Sequence, residues 1–129
     1  MQALVRTFPC RAEELPVLRL ALEQWLFTNG VDAETMSAAV LATHEAVANA
    51  IEHAECDDLE LEGRLEPQQM ISIEVRDGGS WKLPRDGNDE RGRGLQLIHA
   101  LMESVTITED SLGTRVRMRR RYRLITAEI

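Results

Sequence analysis

Aromatic residues are scarce in this chain. Two Trp, two Phe and one Tyr make up 4% of its 129 residues. Any core must therefore be built from Leu, Val, Ile, Ala and Met. No run of about 18 apolar residues exists, which excludes a spanning helix. Met1 to Cys10 holds no long apolar block and no small-residue cleavage site, so no signal peptide is expected. Cys10 and Cys56 are too few for a disulfide scaffold or a structural zinc site, and are expected as free thiols at strand ends in a reducing cytoplasm. Lysine is almost absent: Lys82 stands alone, and the other basic residues are arginine.

What is present is ordinary in amount and uneven in placement. Hydrophobic residues reach 43% and charged residues 29%, which argues against disorder. The net charge is −7, yet Arg115 to Arg123 carries six arginines and no acid, leaving nine basic against 22 acidic residues elsewhere, a balance of −13. This basic stretch is expected as a solvated edge strand and terminus, or as a docking surface for an acidic partner. Nucleic acid is disfavoured, because the acidic body would repel phosphates.

Periodicity orders the elements. Ala3 to Pro9 alternates weakly and reads as a strand. Ala12 to Asn29 places Leu15, Leu18, Leu22 and Leu26 at helical spacing and stops at Asn29-Gly30. Phe27 lies about 100° from Leu26 on that helix, so an outward aromatic is expected. Asp32 caps a second helix, Ala33 to about Ala54. Leu59 to Leu65 and Met70 to Val75 alternate as strands around Glu66-Pro67. Asp77 to Arg93 has no periodicity and many glycines, the mark of a functional loop. Leu95 to Met102 reads as a short helix, then Val105 to Thr108 and Thr114 to Met118 as strands. The whole predicts one α+β domain over residues 1–129, a two-layer sandwich with a mixed, mostly antiparallel sheet and helices on one face.

The second helix carries the first chemical signal. Met36, Val40, Val47 and Ile51 share a stripe that is expected to face the core. Alanines and Leu41 cover most of the rest, and an all-round apolar helix should be buried. Glu45 and Asn49 sit one turn apart among those alanines. Burying a carboxylate and an amide without partners costs several kcal/mol. Either that face is open to water or it is a ligand face. Asp77 opens Asp77-Gly78-Gly79 after a strand, and Gly92-Arg93-Gly94 opens a helix, where bare N–H groups and the dipole suit a phosphate. Each signal alone is weak, and Gly113-Thr114 in a hairpin is ordinary.

In order, however, Glu45-x-x-x-Asn49, Asp77-x-Gly79, Gly92-x-Gly94 and Gly113-Thr114 resemble the histidine-kinase-like ATPase superfamily with the GHKL or Bergerat fold. More narrowly, HEAVANAIEHA, VRDGGSW, RGRGLQLIHALMESV and GTRVRMRR look like the anti-sigma-factor serine/threonine kinases. The resemblance runs from about residue 8 to 120. It implies ATP and Mg²⁺ as cofactors. Asp77 would accept the adenine amino group, Gly79 would let the backbone pass close to the base, and Thr114 would complete that contact. Asn49 would ligate Mg²⁺ through its amide oxygen. Gly92, Gly94 and Leu95 would close over the phosphates, with Arg91 or Arg93 near the γ-phosphate. Glu45 would take the proton of an attacking serine hydroxyl. Trp81 stands where many superfamily members carry a glycine, and an aromatic there also looks like the serine-kinase branch.

The resemblance further implies a homodimer, a sigma factor held inactive, and a small anti-anti-sigma protein of the STAS type as phosphorylation substrate. No membrane contact is expected. The alternative is a nucleotide-binding regulatory module without transfer, or the C-terminal domain of a larger regulatory phosphatase. A stand-alone ATPase of the gyrase type needs a longer lid and a second domain. His44-Glu45 does not begin a zinc-protease motif, because position 48 is Ala. His44 is expected to pack at the edge of the core stripe, His99 to lie at the surface, and His53 and His99 lack metal-ligand spacing.

Overall fold

The computed structural model describes residues 3–53, 56–78 and 90–125, with side chains in the last stretch from Gly94 onward. Strand β1 (Leu4–Pro9) leads through a 3-10 turn (Ala12–Glu14) into helix α1 (Leu15–Thr28). Helix α2 (Ala33–His53), strands β2 (Asp58–Glu66) and β3 (Met70–Asp77), helix α3 (Glu90–Leu101) and strands β4 (Ser104–Asp110) and β5 (Gly113–Arg121) follow.

Helix α1 forms where the leucine spacing predicts it, and Leu18, Leu22 and Leu26 are fully buried. It ends because Gly30 takes φ +75°, a left-handed conformation that costs glycine little. The Gly30 amide donates to the Phe27 carbonyl and the Val31 amide to that of Leu26, which satisfies two orphan helix carbonyls. Two residues later Asp32 caps α2, its carboxylate accepting the Thr35 amide at 3.1 Å.

The five strands lie in the order β1-β2-β3-β5-β4. Every pairing is antiparallel. Helices cover one face. There Leu59, Leu61, Ile71, Ile73, Val75, Val116 and Met118 meet Leu22, Leu26 and the alanines of α2 in one core. This is the expected α+β sandwich.

Four expectations need correction. The side of α2 buried at the core is its alanine row, Ala39, Ala42, Ala46 and Ala50, together with Val47. Met36, Val40 and Ile51 are only half-buried. Small side chains let α2 lie close to its neighbours, so closeness of approach outranks hydrophobicity here. Helix α3 starts at Glu90, so Gly92 and Gly94 lie within the helix and not ahead of it. Strand β5 is an inner strand, flanked by β3 and β4, because the β4–β5 hairpin folds back into the sheet. Lastly, Cys10 and Cys56 are not free: they form a disulfide with Cα atoms 6.0 Å apart. The β1–β2 pairing sets Pro9 opposite Asp58, and the Cys10 amide donates to Asp57, so residues 46 apart in sequence meet at one corner.

Candidate functional site

Two groups of predicted residues come together on the helical side of the sheet. The first is built by α2 and α3. Glu45 and Asn49 project from one side of α2, and the backbone of Gly94 lies against them. A Cβ placed on Gly94 would sit 3.1 Å from Asn49 Nδ2, 3.2 Å from Glu45 Oε2 and 3.3 Å from Asn49 Oδ1. Those separations are tighter than ordinary van der Waals contact, so only glycine lets α3 approach both side chains. Asn49 is 5% exposed, and its Nδ2 has no hydrogen-bond partner among the described residues. Glu45 is half-buried. Asn49 is thus enclosed with an unused donor, while Glu45 beside it stays open to the cleft between α1 and α2. Such a buried group is held for something or costs stability.

The second group is built by the sheet. Asp77 ends β3 and pairs directly with Thr114, the second residue of β5. Asp77 is 2% exposed and Thr114 1%, and both follow the inward alternation of Ile73, Val75 and Val116. Each has an interaction partner. Gly113 is what allows the pairing. It holds φ +129°, and a Cβ there would overlap the carbonyl oxygen of Asp77 outright. The sequence marked Gly113 as an ordinary hairpin glycine. Its signal was its position one residue before the pairing partner of a buried acid.

Leu95 is half-buried and packs on the core from the first turns of α3. Arg91, Gly92 and Arg93 fall in the first turn of α3, with their side chains outside the described residues. Gly79, predicted near a base, and Trp81 also lie outside the described residues. His44 is half-buried, its Nδ1 without a partner among the described residues. His99 is exposed, as expected.

A separate cleft of about 400 Å³ runs between α1 and α2, lined by Arg19, Glu23, Met36, Ser37, Val40, Leu41, His44 and Glu45. Glu45 is the one predicted site residue that borders it. Its lining includes Met36 and Val40, which are half-buried because they pack on the edge of the core and border the cleft at once. Among the described residues no cluster of three or more His, Cys, Asp or Glu could hold a metal by itself. A cation at Asn49 that drew its other ligands from a bound anion and water would fit these surroundings. That is the habit of Mg²⁺, which takes one or two protein oxygens, with phosphate oxygens and water completing its octahedron.

The family model for the histidine kinase-like ATPase domain matches residues 8–120. Among solved structures, the RsbU and RsbW domains of Rv1364c from Mycobacterium tuberculosis align with a TM-score of 0.78 at 23% identity, over 98% of this chain and 35% of that one. This chain thus spans about a third of the length of that solved chain. The histidine kinase domain of a blue-light activated histidine kinase from Erythrobacter litoralis aligns at 0.58 and 18% identity, over 88% of this chain and 61% of that one. The histidine kinase AdeS of Acinetobacter baumannii gives 0.57 and 13%, over 94% and 68%.

Proposed function

The chain belongs to the histidine kinase-like ATPase domain family, and from that premise we propose that it is an ATP-dependent protein serine/threonine kinase acting as an anti-sigma factor. The observation that carries the reading is the enclosed Asn49 amide beside Glu45 beneath Gly94, on the same helical side of the sheet as the buried Asp77 and Thr114.

In this reading each residue has one task. Asp77 accepts the exocyclic amine of adenine. An acid there makes chemical sense beside the base and not beside phosphates, which it would repel. Thr114, on the neighbouring strand, completes the adenine contact through its hydroxyl, and Gly79 lets the base approach the backbone. Asn49 turns its amide oxygen to Mg²⁺. The ion, when bound, supplies charge neutralisation across the phosphate oxygens. Gly92, Gly94 and Leu95 set the first turns of α3 over the phosphates, where unused amides and the helix dipole favour negative charge. Arg91 or Arg93 offers a guanidinium to the γ-phosphate.

Glu45 is the base. It borders both Asn49 and the cleft between α1 and α2, so a protein hydroxyl entering by the cleft meets its carboxylate. Glu45 takes the hydroxyl proton while the oxygen attacks the γ-phosphorus, and the bond to the ADP oxygen breaks. The acceptor is a serine of an anti-anti-sigma protein of the STAS type. Unmodified, that protein competes for the kinase. Once phosphorylated it releases the kinase to hold a sigma factor. The domain covers residues 1–129 and works as a homodimer, for which the exposed Phe27 on α1 offers an apolar contact. A cytoplasmic setting goes with this role. Against it stands the Cys10–Cys56 disulfide, which a reducing cytoplasm disfavours. Mass analysis of unreduced protein taken from its own cell decides between them.

A second reading is favoured by the Rv1364c structure, in which RsbU and RsbW domains share one chain. Here the domain is a nucleotide-binding regulatory module, or the C-terminal part of a larger regulatory phosphatase, and transfers nothing. Incubation with γ-labelled ATP and candidate anti-anti-sigma proteins separates the two. Wild type should label a partner serine. Glu45→Ala should keep ATP binding and slow labelling by roughly 10²-fold or more. Wild type that binds ATP and labels no partner refutes the kinase.

A further inference from the structure

The face of the sheet away from the helices is mostly polar from β2 to β4, and its charges are sorted. On β5, Arg115, Arg117 and Arg119 alternate outward, away from Val116 and Met118. The register sets Thr108, Thr106 and Ser104 of β4 directly opposite them. On the other side they face Arg76, Glu74 and Ser72 of β3. The result is a row of three guanidiniums with a row of three hydroxyls beside it.

Among the described residues, the ion pairs on this row come from acids of β2 and β3. Glu74 accepts Arg115 Nε at 2.6 Å and contacts Arg76 and Arg117 at 3.4 Å each. Glu66 contacts Arg119 Nε at 3.2 Å. One carboxylate has about four acceptor positions, whereas each guanidinium carries five donors. Glu74 therefore leaves most of the donors of its three arginines unused. The side chains of Arg115, Arg117 and Arg119 are 40%, 45% and 38% exposed. Together with the three hydroxyls they line a cavity of about 160 Å³. Arg76 moreover pairs directly with Arg115, and like charges opposite one another destabilise a sheet. Glu74 contacts both guanidiniums and offsets part of that repulsion, and a further anion at the row would offset more.

We propose that this seam between β4 and β5 binds an extended acidic segment of a partner protein, with carboxylates at alternate positions. Same-face side chains of an extended strand recur about every 6.6–6.8 Å, on the arginine row and on such a segment alike, so successive carboxylates meet successive guanidiniums. The planar fork of arginine fits a carboxylate with two parallel hydrogen bonds. The neighbouring hydroxyls donate to the remaining lone pairs. Strand β4 is also the edge of the sheet, so its outer backbone groups border the same seam. A nucleic acid fits less well. Its charges continue at every step beyond the seam, onto a body with nine basic against 22 acidic residues outside Arg115 to Arg123. The seam lies on the opposite face of the sheet from α2, so binding there is independent of the nucleotide and of the transfer proposed above.

The test uses the whole chain without nucleotide. The probe is a labelled peptide of about ten residues alternating Glu and Ser, enough to span the row at strand spacing, read by fluorescence anisotropy. It should bind, and more weakly as salt rises. Arg117→Gln with Arg119→Gln should weaken binding by roughly tenfold or more. Thr106→Glu, which removes no arginine and adds one carboxylate at an exposed strand position, should do the same. Arg6→Gln on β1, at the far edge of the sheet, should leave it unchanged. Thermal melts of each variant establish that the fold is kept. The proposal is overturned if the peptide does not bind, if both folded seam variants bind it like wild type, if a peptide of the same composition with its acids in one block binds equally well, or if a single-stranded oligonucleotide binds better.

Discussion

Replacing Gly94 with alanine sets two effects of similar size against each other. Gly94 is the fifth residue of α3, inside the helix. Removing a glycine from a helix interior gains about 0.8–1 kcal/mol of helix propensity. The new methyl, however, meets Asn49 and Glu45 atoms at 3.1 to 3.3 Å. Asn49 is enclosed and cannot swing to solvent, so Glu45, Asn49 or α3 must yield by a few tenths of an ångström. Overpacking of that kind costs about 1–3 kcal/mol. The sum is a loss of about 0–2 kcal/mol, a change in Tm between nothing and a fall of several degrees. Function should suffer more than stability, because small displacements of positioned groups cost up to about 10²-fold in rate. We expect kcat/KM for phosphoryl transfer to fall roughly tenfold or more and MgATP affinity to drop in calorimetry. The refuting result is a Tm raised by about 3–5 °C, the unopposed gain for a chain of this size, with nucleotide affinity unchanged. That outcome would mean that α3 does not rest on Glu45 and Asn49.

Asp77→Asn should weaken ATP binding by about ten- to a hundredfold, the value of one hydrogen bond to a charged group, and near-unchanged affinity in calorimetry would remove the adenine assignment. Gly113→Ala should destabilise by roughly 2–4 kcal/mol in urea unfolding, since it combines a left-handed backbone with a clash on the Asp77 carbonyl; a loss under about 0.5 kcal/mol, the scale of an ordinary surface change, would contradict the register. Burial pushes the Asp32 carboxyl up, but the Arg123 amide and the hydroxyl and amide of Thr35 outweigh it, holding the group below its ordinary value of 3.8. The unfolded chain therefore takes up that proton first as pH falls. Its stabilisation is complete above the ordinary value and fades as pH drops through the folded one. Asp32→Asn keeps a capping side chain, so its deficit against wild type should be largest at neutral pH and shrink in acid; a deficit independent of pH in thermal melts would show that the charge contributes nothing.

How far the sequence could be read depended on whether a feature was local. Local periodicity found the helices and strands of the described residues, though not the start of α3, and Asp32, Gly30 and Leu18, Leu22 and Leu26 of α1 behave as their spacing predicts. Glu45 and Asn49 were legible because two polar groups among alanines needed a reason. The misses are matters of approach between distant segments. On α2, larger side chains looked like the core and alanines like filler, yet the packing distance to the sheet and α3 makes alanine the buried residue. In α3 the glycines read as lying ahead of the helix, whereas the helix reaches back to Glu90 and packs on α2, tertiary packing outweighing propensity. Gly63 looked like one more small residue in an alternating strand. In fact its missing side chain makes room for Trp25, whose ring carbons come within 2.8 Å of where a Cβ would be. No local pattern could place β5 between β3 and β4, or bring Cys10 to Cys56.

That cross-link divides the molecule in a way its layers do not. The ring closed by Cys10 and Cys56 threads through both α1 and α2, and so contains Glu45 and Asn49. Asp77, Gly94 and Thr114 all lie on the open length of chain that follows. The site is therefore assembled across a topological border, one half tethered even in the unfolded chain and the other free. Chain entropy puts the value of that tether at about 4 kcal/mol for a loop of this length. Under reduction the tethered half loses its advantage while the free half keeps all of its own contacts. Hydrogen exchange should then register the change first in α2 and at the β1–β2 edge, and last in the β3–β5 ladder, so that one site reports its two origins on separate clocks.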